Sequence, residues 1–110
     1  MIISTDSELV DAITRLQNLQ VEAGTAAAAG TLDGLRVGDG LTELVTAGID
    51  YIILSRGPSL VVDEFIDPLV NWVKSDVLAE WVQHPTRDRT PYMQVLSAVS
   101  EIQEKYAYLA

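Results

Sequence analysis

The residues best suited to chemistry lie together in His84-Pro85-Thr86-Arg87-Asp88-Arg89-Thr90. Two guanidiniums in a short, proline-containing loop can grip a carboxylate or phosphate through paired N–H donors, and an imidazole beside them adds another. His84, Arg87 and Arg89 are therefore the candidate anion-binding residues. The same arginines can instead bond Asp88 or the carbonyls at a helix end, and that structural role is the preferred reading of a charged loop. His84 with Asp88 is the one pair with the logic of a base and its orienting acid. The preferred reading is a surface loop in which Asp88 bonds nearby backbone or Arg89.

Other chemistries lack their residues. The chain has one histidine and no cysteine, which excludes disulfides, thiolate zinc sites, iron–sulfur clusters and a cysteine nucleophile. The densest acidic group, Asp63, Glu64 and Asp67, lacks the alternating ligands and closing glutamate of a calcium loop. No Gly-x-Ser-x-Gly elbow occurs. Gly38-Asp39-Gly40 resembles a fragment of a phosphate loop but lacks the Gly-Lys-Ser/Thr that completes one. No metal, cofactor or catalytic residue is expected, and the chain is read as a non-enzyme.

The aromatic residues carry a different signal. Trp72 and Trp81 are nine positions apart, about 180° around an ideal helix. Either the helix breaks between them near Ser75-Asp76, or one indole is exposed and suited to a protein interface. Tyr92, Tyr106 and Tyr108 add amphipathic surface near the C-terminal end. Trp72, Trp81, Tyr92, Tyr106 and Tyr108 are the candidate interface residues.

Charge narrows the partners. Sixteen acids against seven bases give a net charge of −9. The acids divide evenly, with eight in residues 1–57 and eight in 58–110. Such a field disfavours direct binding to nucleic acid or to anionic lipid. No apolar run approaches the ~18 residues of a membrane span. Met1 to Asp6 lacks the basic region and apolar segment of a signal peptide. A cytoplasmic location is expected, or a host cytoplasm or virion if the chain is viral.

The elements that must position these residues read mostly as helices. Thr5-Asp6-Ser7-Glu8 fits a capping box opening a helix over 5–22, with Leu9, Ile13, Leu16 and Gln20 inward and Val10 and Leu19 widening the stripe. Residues 23–40 hold five of the seven glycines and the run Ala26–Ala29. They read as a long Gly/Ala-rich loop pinned by Leu32, Leu35 and Val37. Residues 41–56 read as a helix with Asp39 as cap and Gly57-Pro58 as its stop. The alternative is a β-branched strand over 49–54. Residues 59–83 read as two helical pieces, with Ser59 and Asp67-Pro68 as starts, or as one helix kinked at Pro68. Thr90-Pro91 opens a last helix to about Tyr108, with Met93, Leu96, Val99, Ile102, Tyr106 and Leu109 inward.

The chain is thus expected to be a single all-α domain over 1–110, a bundle of four to five helices with one long loop. The alternative is an α+β fold with a small sheet using residues 49–54. The function expected is a non-enzymatic interaction or assembly module that binds a protein partner or itself, such as a viral assembly component or a charge-mimicking inhibitor. The competing expectation is a small ligand-binding domain or enzyme, in which the 84–89 loop and residues 23–40 meet around an anion.

Overall fold

A computed structural model describes residues 1–58, 61–75, 78, 81, 83, 84 and 86–109. Among these are four α-helices and no strand: α1 (Asp6–Ala29), α2 (Gly34–Arg56), α3 (Asp67–Val73) and α4 (Thr90–Lys105). A π-helical turn, Val62–Ile66, leads into α3, and a 3₁₀ turn, Ala107–Leu109, follows α4. The fold is an all-α bundle, as the periodicity predicts. The strand alternative fails because residues 49–54 lie inside α2.

Thr5 caps α1 in an extended conformation, its hydroxyl accepting the Glu8 N–H at 3.2 Å and donating to the Glu8 carboxylate. The helix does not stop at residue 22. It runs through Gly24 to Ala29, because Ala23 and Ala27 are fully buried there and the four alanines are strong helix formers. Gly30, at φ +80°, ends it, and Thr31 N–H closes the turn on the Ala26 carbonyl at 2.8 Å.

The expected 23–40 loop is therefore corrected to a helix end, the short link 30–33 and the start of α2. Asp33, rather than Asp39, caps α2, accepting the Arg36 N–H at 3.1 Å. Gly34 and Gly38 are not turn residues. A Cβ on Gly34 would stand 2.2 Å from the Pro91 carbonyl oxygen, and one on Gly38 would stand 3.2 Å from Ala98 Cβ. Glycine there lets α2 and α4 approach closely. Leu32 and Val37 are buried as expected, whereas Leu35 is exposed. One face of α2, Leu41, Leu44, Val45, Gly48 and Ile52 at helical spacing, is buried throughout. Gly57, at φ +79°, closes this helix through Ile53 O.

The π turn and α3 form one continuous helical stretch through Pro68, but it ends at Val73, so residues 59–83 are not one long helix. Asp67 has helical dihedrals and no side-chain cap bond, and its N–H reaches back five residues to Val62 O. The widened turn accommodates Pro68, whose ring and missing N–H disrupt an ordinary α-turn. The expected cap Ser59 lies outside the described residues. Helix α3 ends at Val73, before Ser75, which resolves the Trp72–Trp81 conflict by a break.

Helix α4 begins where expected, but Asp88 supplies the cap: its Oδ1 accepts the Thr90 N–H at 2.9 Å and hydroxyl at 2.8 Å. Of the expected inward face, Val99, Ile102 and Tyr106 are buried and Leu96 and Leu109 half-buried against the core. Val95, Ala98, Val99 and Ile102 are buried, while Met93 is exposed. Helix α2 is the central element, packed on α1 along one side and α4 along another. Its Leu41, Val45 and Ile49 are wholly enclosed at the middle of the core. The molecule measures 46 × 26 × 19 Å, so α1, about 36 Å long at 1.5 Å per residue, spans most of its length.

Candidate functional site

Arg87 belongs to the expected anion loop, and its donors are engaged. Nη1 donates to Ala27 O at 2.8 Å and Nη2 to Ala28 O at 3.3 Å. The guanidinium carbon lies 5.1 Å from the Trp81 ring centroid. The C-terminal turn of α1 holds no basic residue of its own, so Arg87 supplies the positive charge that this end of the helix favours. It also satisfies carbonyls the helix leaves free. Segments 84–89 and 23–40 do meet, as the ligand-binding alternative requires, but the guanidinium fills the meeting point.

Asp88 of that loop has a structural role as well. Trp81 Nε1 donates to the Asp88 carbonyl at 2.7 Å. The Asp88 carboxyl is held below the usual carboxylate range by the Thr90 backbone N–H and hydroxyl. It caps α4 instead of orienting His84. His84 is exposed, with Nδ1 3.0 Å from the Thr86 hydroxyl. Arg89 is exposed at the start of α4.

The aromatic candidates divide. Trp81 and Tyr106 are buried, at 4% and 2% exposure, and so are core residues rather than interface residues. The Tyr106 hydroxyl donates to Asp50 Oδ1 at 2.8 Å and lies 3.4 Å from Thr46 O, tying α4's end to α2. Burial and the Asp50 carboxylate push this phenol well above its ordinary pKa. Trp72 and Tyr92 are half-buried and Tyr108 is exposed.

Trp72 lies where α3 meets α1, on an open groove of about 650 Å³. Gln17, Gln20, Val21, Gly24, Thr25 and Ala28 of α1 form the rest of its lining. Among the described residues that line it, none is ionisable. Val21 is 70% exposed, an unusual position for a large apolar side chain beside a tryptophan.

The groove belongs to a longer feature of α1. At 100° per residue, Val10, Thr14, Gln17, Val21, Thr25 and Ala28 fall within an arc of about 80°. All six are exposed and none carries charge. Glu8, Asp11, Arg15 and Glu22 cluster on a separate arc, where Glu22 pairs with Arg36 of α2. The third arc, with Leu9, Ala12, Leu19, Ala23 and Ala27, faces the core. The helix thus has a buried face, a charged face and a neutral exposed face. Sequence reading placed Val10 inward and ended the helix at 22, so the neutral face was cut before Thr25 and Ala28. The spacing of Val10, Thr14, Val21, Thr25 and Ala28 by three, four or seven residues was the available signal.

Two other surfaces carry polar groups. At the N-terminal end, Glu43, Asp50, Glu101 and Lys105 surround a cleft of about 320 Å³ over Ala47 and Ile102, with the terminal amine 3.6 Å from Glu43. Asp6 joins the start of α1 to the end of α2, accepting from the Tyr51 hydroxyl at 2.7 Å and pairing with Arg56 at 2.8 Å. The Tyr51 bond and the Arg56 charge lower the Asp6 pKa, and Asp6 in turn raises that of Tyr51. Among the described residues no three His, Cys, Asp or Glu side chains are grouped to hold a metal ion. No helix among them is long and apolar enough to cross a membrane. No family model, curated protein or solved structure matches the chain.

Proposed function

We propose that this chain is a protein-interaction or assembly module that performs no chemistry of its own. The observation that carries the reading is the neutral groove between α1 and α3, where Val21 is largely exposed beside the half-buried Trp72. A tryptophan at the edge of an apolar groove is the usual kind of anchor for a protein partner. The surrounding negative charge acts by exclusion, keeping nucleic acid and anionic surfaces away while leaving the uncharged face approachable. The anion-binding alternative is weakened by Arg87, whose guanidinium is committed to Ala27 and Ala28 of α1.

The test compares wild type with Val21→Glu and Thr25→Glu as bait for proteins from the source cell, including the chain itself. Both substitutions lie on exposed helix positions and are expected to leave the fold intact. Retention by wild type and loss with both variants is the expected result. Identical capture by all three proteins removes the groove from the function.

A further inference from the structure

We infer that the groove between α2 and α4 docks a basic helical segment of another protein. It shares no lining residue with the groove beside Trp72 and stands apart from the reading above. Gly34 lies against Pro91, Gly38 against Ala98 and Asp50 against Tyr106, so the two helices run side by side in the same direction. Two adjoining clefts, of about 210 and 320 Å³, open along their seam and share Thr42 and Glu101. The floor is small or apolar: Gly38, Ala47, Ala98 and Ile102.

The rim selects the occupant. At 100° per residue, Leu35, Asp39, Glu43, Thr46, Asp50 and Leu54 fall within about 100° of the α2 surface. Leu35 is 61% exposed and Leu54 89%, and the three carboxylates stand between them. Helix α4 adds Glu101 from the facing rim. The nearby cations are engaged: the terminal amine with Glu43, Lys105 over the Tyr106 ring, and Arg36 with Glu22 of α1. Asp39, Asp50 and Glu101 remain as surplus negative charge along the seam. That sign opposes a second copy of this chain, whose net charge is −9, and opposes nucleic acid. A helix with Lys or Arg in its middle turns and an apolar residue at each end matches both the carboxylates and the two leucines. Large apolar side chains held in water at both ends of the strip set it apart from a merely solvated acidic face. The strip from Leu35 to Leu54 is about 28 Å long at 1.5 Å per residue, so a segment of about twenty residues covers it.

Fluorescence anisotropy with a synthetic helical peptide of this pattern, arginines in the middle and leucines at both ends, tests this. The expected result is saturable binding that weakens as salt screens the charges. The pairs Asp39→Asn with Asp50→Asn, and Leu35→Ser with Leu54→Ser, should each weaken it at least tenfold, with unchanged helical circular dichroism. Glu8→Gln with Asp11→Asn removes the same charge from α1, outside the groove, and should change affinity less than twofold. A scrambled peptide of equal composition should bind at least tenfold more weakly. No binding at near-millimolar peptide, equal binding of the scrambled peptide, or equal loss from the α1 pair overturns the proposal. Spermine binding as tightly as the peptide also overturns it, because the groove would then be a site for small cations. Val21→Glu should bind the peptide like wild type; a loss there would place the peptide beside Trp72 and remove it from this groove.

Discussion

The α2–α4 contact and the outer face of α1 are built from the same materials and end differently. Each places small residues at helical spacing: Gly34, Gly38 and Ala98 in the first, Gly24, Thr25 and Ala28 in the second. In the first, another helix of the same chain closes the surface until a methyl group no longer fits. In the second, Trp72 covers one edge and the remainder is open. Small residues make a helix flat enough for close approach; whether a surface becomes core or docking site depends on what the chain has left to lay on it.

The hardest way to break the closed surface is Gly34→Ala. The new Cβ would stand 2.2 Å from Pro91 O and 2.6 Å from Pro91 Cα. Both are backbone atoms, which cannot swing aside. Alanine's better helix propensity returns about 1 kcal/mol, against an overpacking cost of up to ~3 kcal/mol or more. Net destabilisation of about 2 kcal/mol is expected in urea unfolding. Gly38→Ala, facing a side-chain methyl at 3.2 Å, should cost less. Equal costs would mean that the helix spacing relaxes freely.

Arg87 connects the two regions, since it belongs to the loop before α4 but bonds the last turn of α1. Arg87→Met keeps an apolar stem near Trp81 and removes both hydrogen bonds to α1 carbonyls. A loss of about 1–2 kcal/mol is expected, since each bond contributes about 1 kcal/mol net. The amides around Ala27 to Thr31 should exchange faster, because the turn that floors the groove frays. If phosphate stabilises wild type and not Arg87→Met, the loop is an anion site after all.

Most of the fold was legible because it rests on periodicity and punctuation. Thr5, Gly57 and the Leu41-to-Ile52 face all behave as local rules require. What was not legible came from one ambiguity: glycine marks both a turn and a close approach. Gly30 is the first kind, at positive φ; Gly34 and Gly38 are the second, and only the presence of α4 distinguishes them. The misread loop then hid the docking face, because a helix ended at residue 22 has no Thr25 or Ala28 to extend its stripe. Arg87's structural role was one of two readings from sequence, but its acceptors lie about sixty positions away and no local pattern names them. Trp81 and Tyr106 looked like surface candidates for a related reason. Their polar tips are satisfied by Asp88 O and Asp50 in contacts that only tertiary structure brings together.

Tyr106 secures the other end of the closed contact. Tyr106→Phe removes the hydrogen bond to Asp50 while keeping the ring, for an expected loss of about 1 kcal/mol. Its pH dependence sharpens the point. The folded phenol holds its proton more tightly than the unfolded one. Its contribution is therefore complete below the ordinary tyrosine pKa of about 10. It declines as pH rises above that value and is gone once the folded pKa is passed. Wild type should lose melting temperature above pH 10 more steeply than Tyr106→Phe. Parallel curves would assign the alkaline sensitivity to Tyr51, whose pKa is also raised.

The smallest stability effect belongs to the open surface. Val21→Glu replaces a 70% exposed side chain with a stronger helix former. Chemical unfolding should place it within about 0.5 kcal/mol of wild type. The substitution is the converse of Gly34→Ala, which acts on a closed, packed face. If Val21→Glu were as costly as Gly34→Ala in dilute solution, Val21 would be packed within the monomer. The two small-residue faces would then both be core, and the contrast between them would disappear.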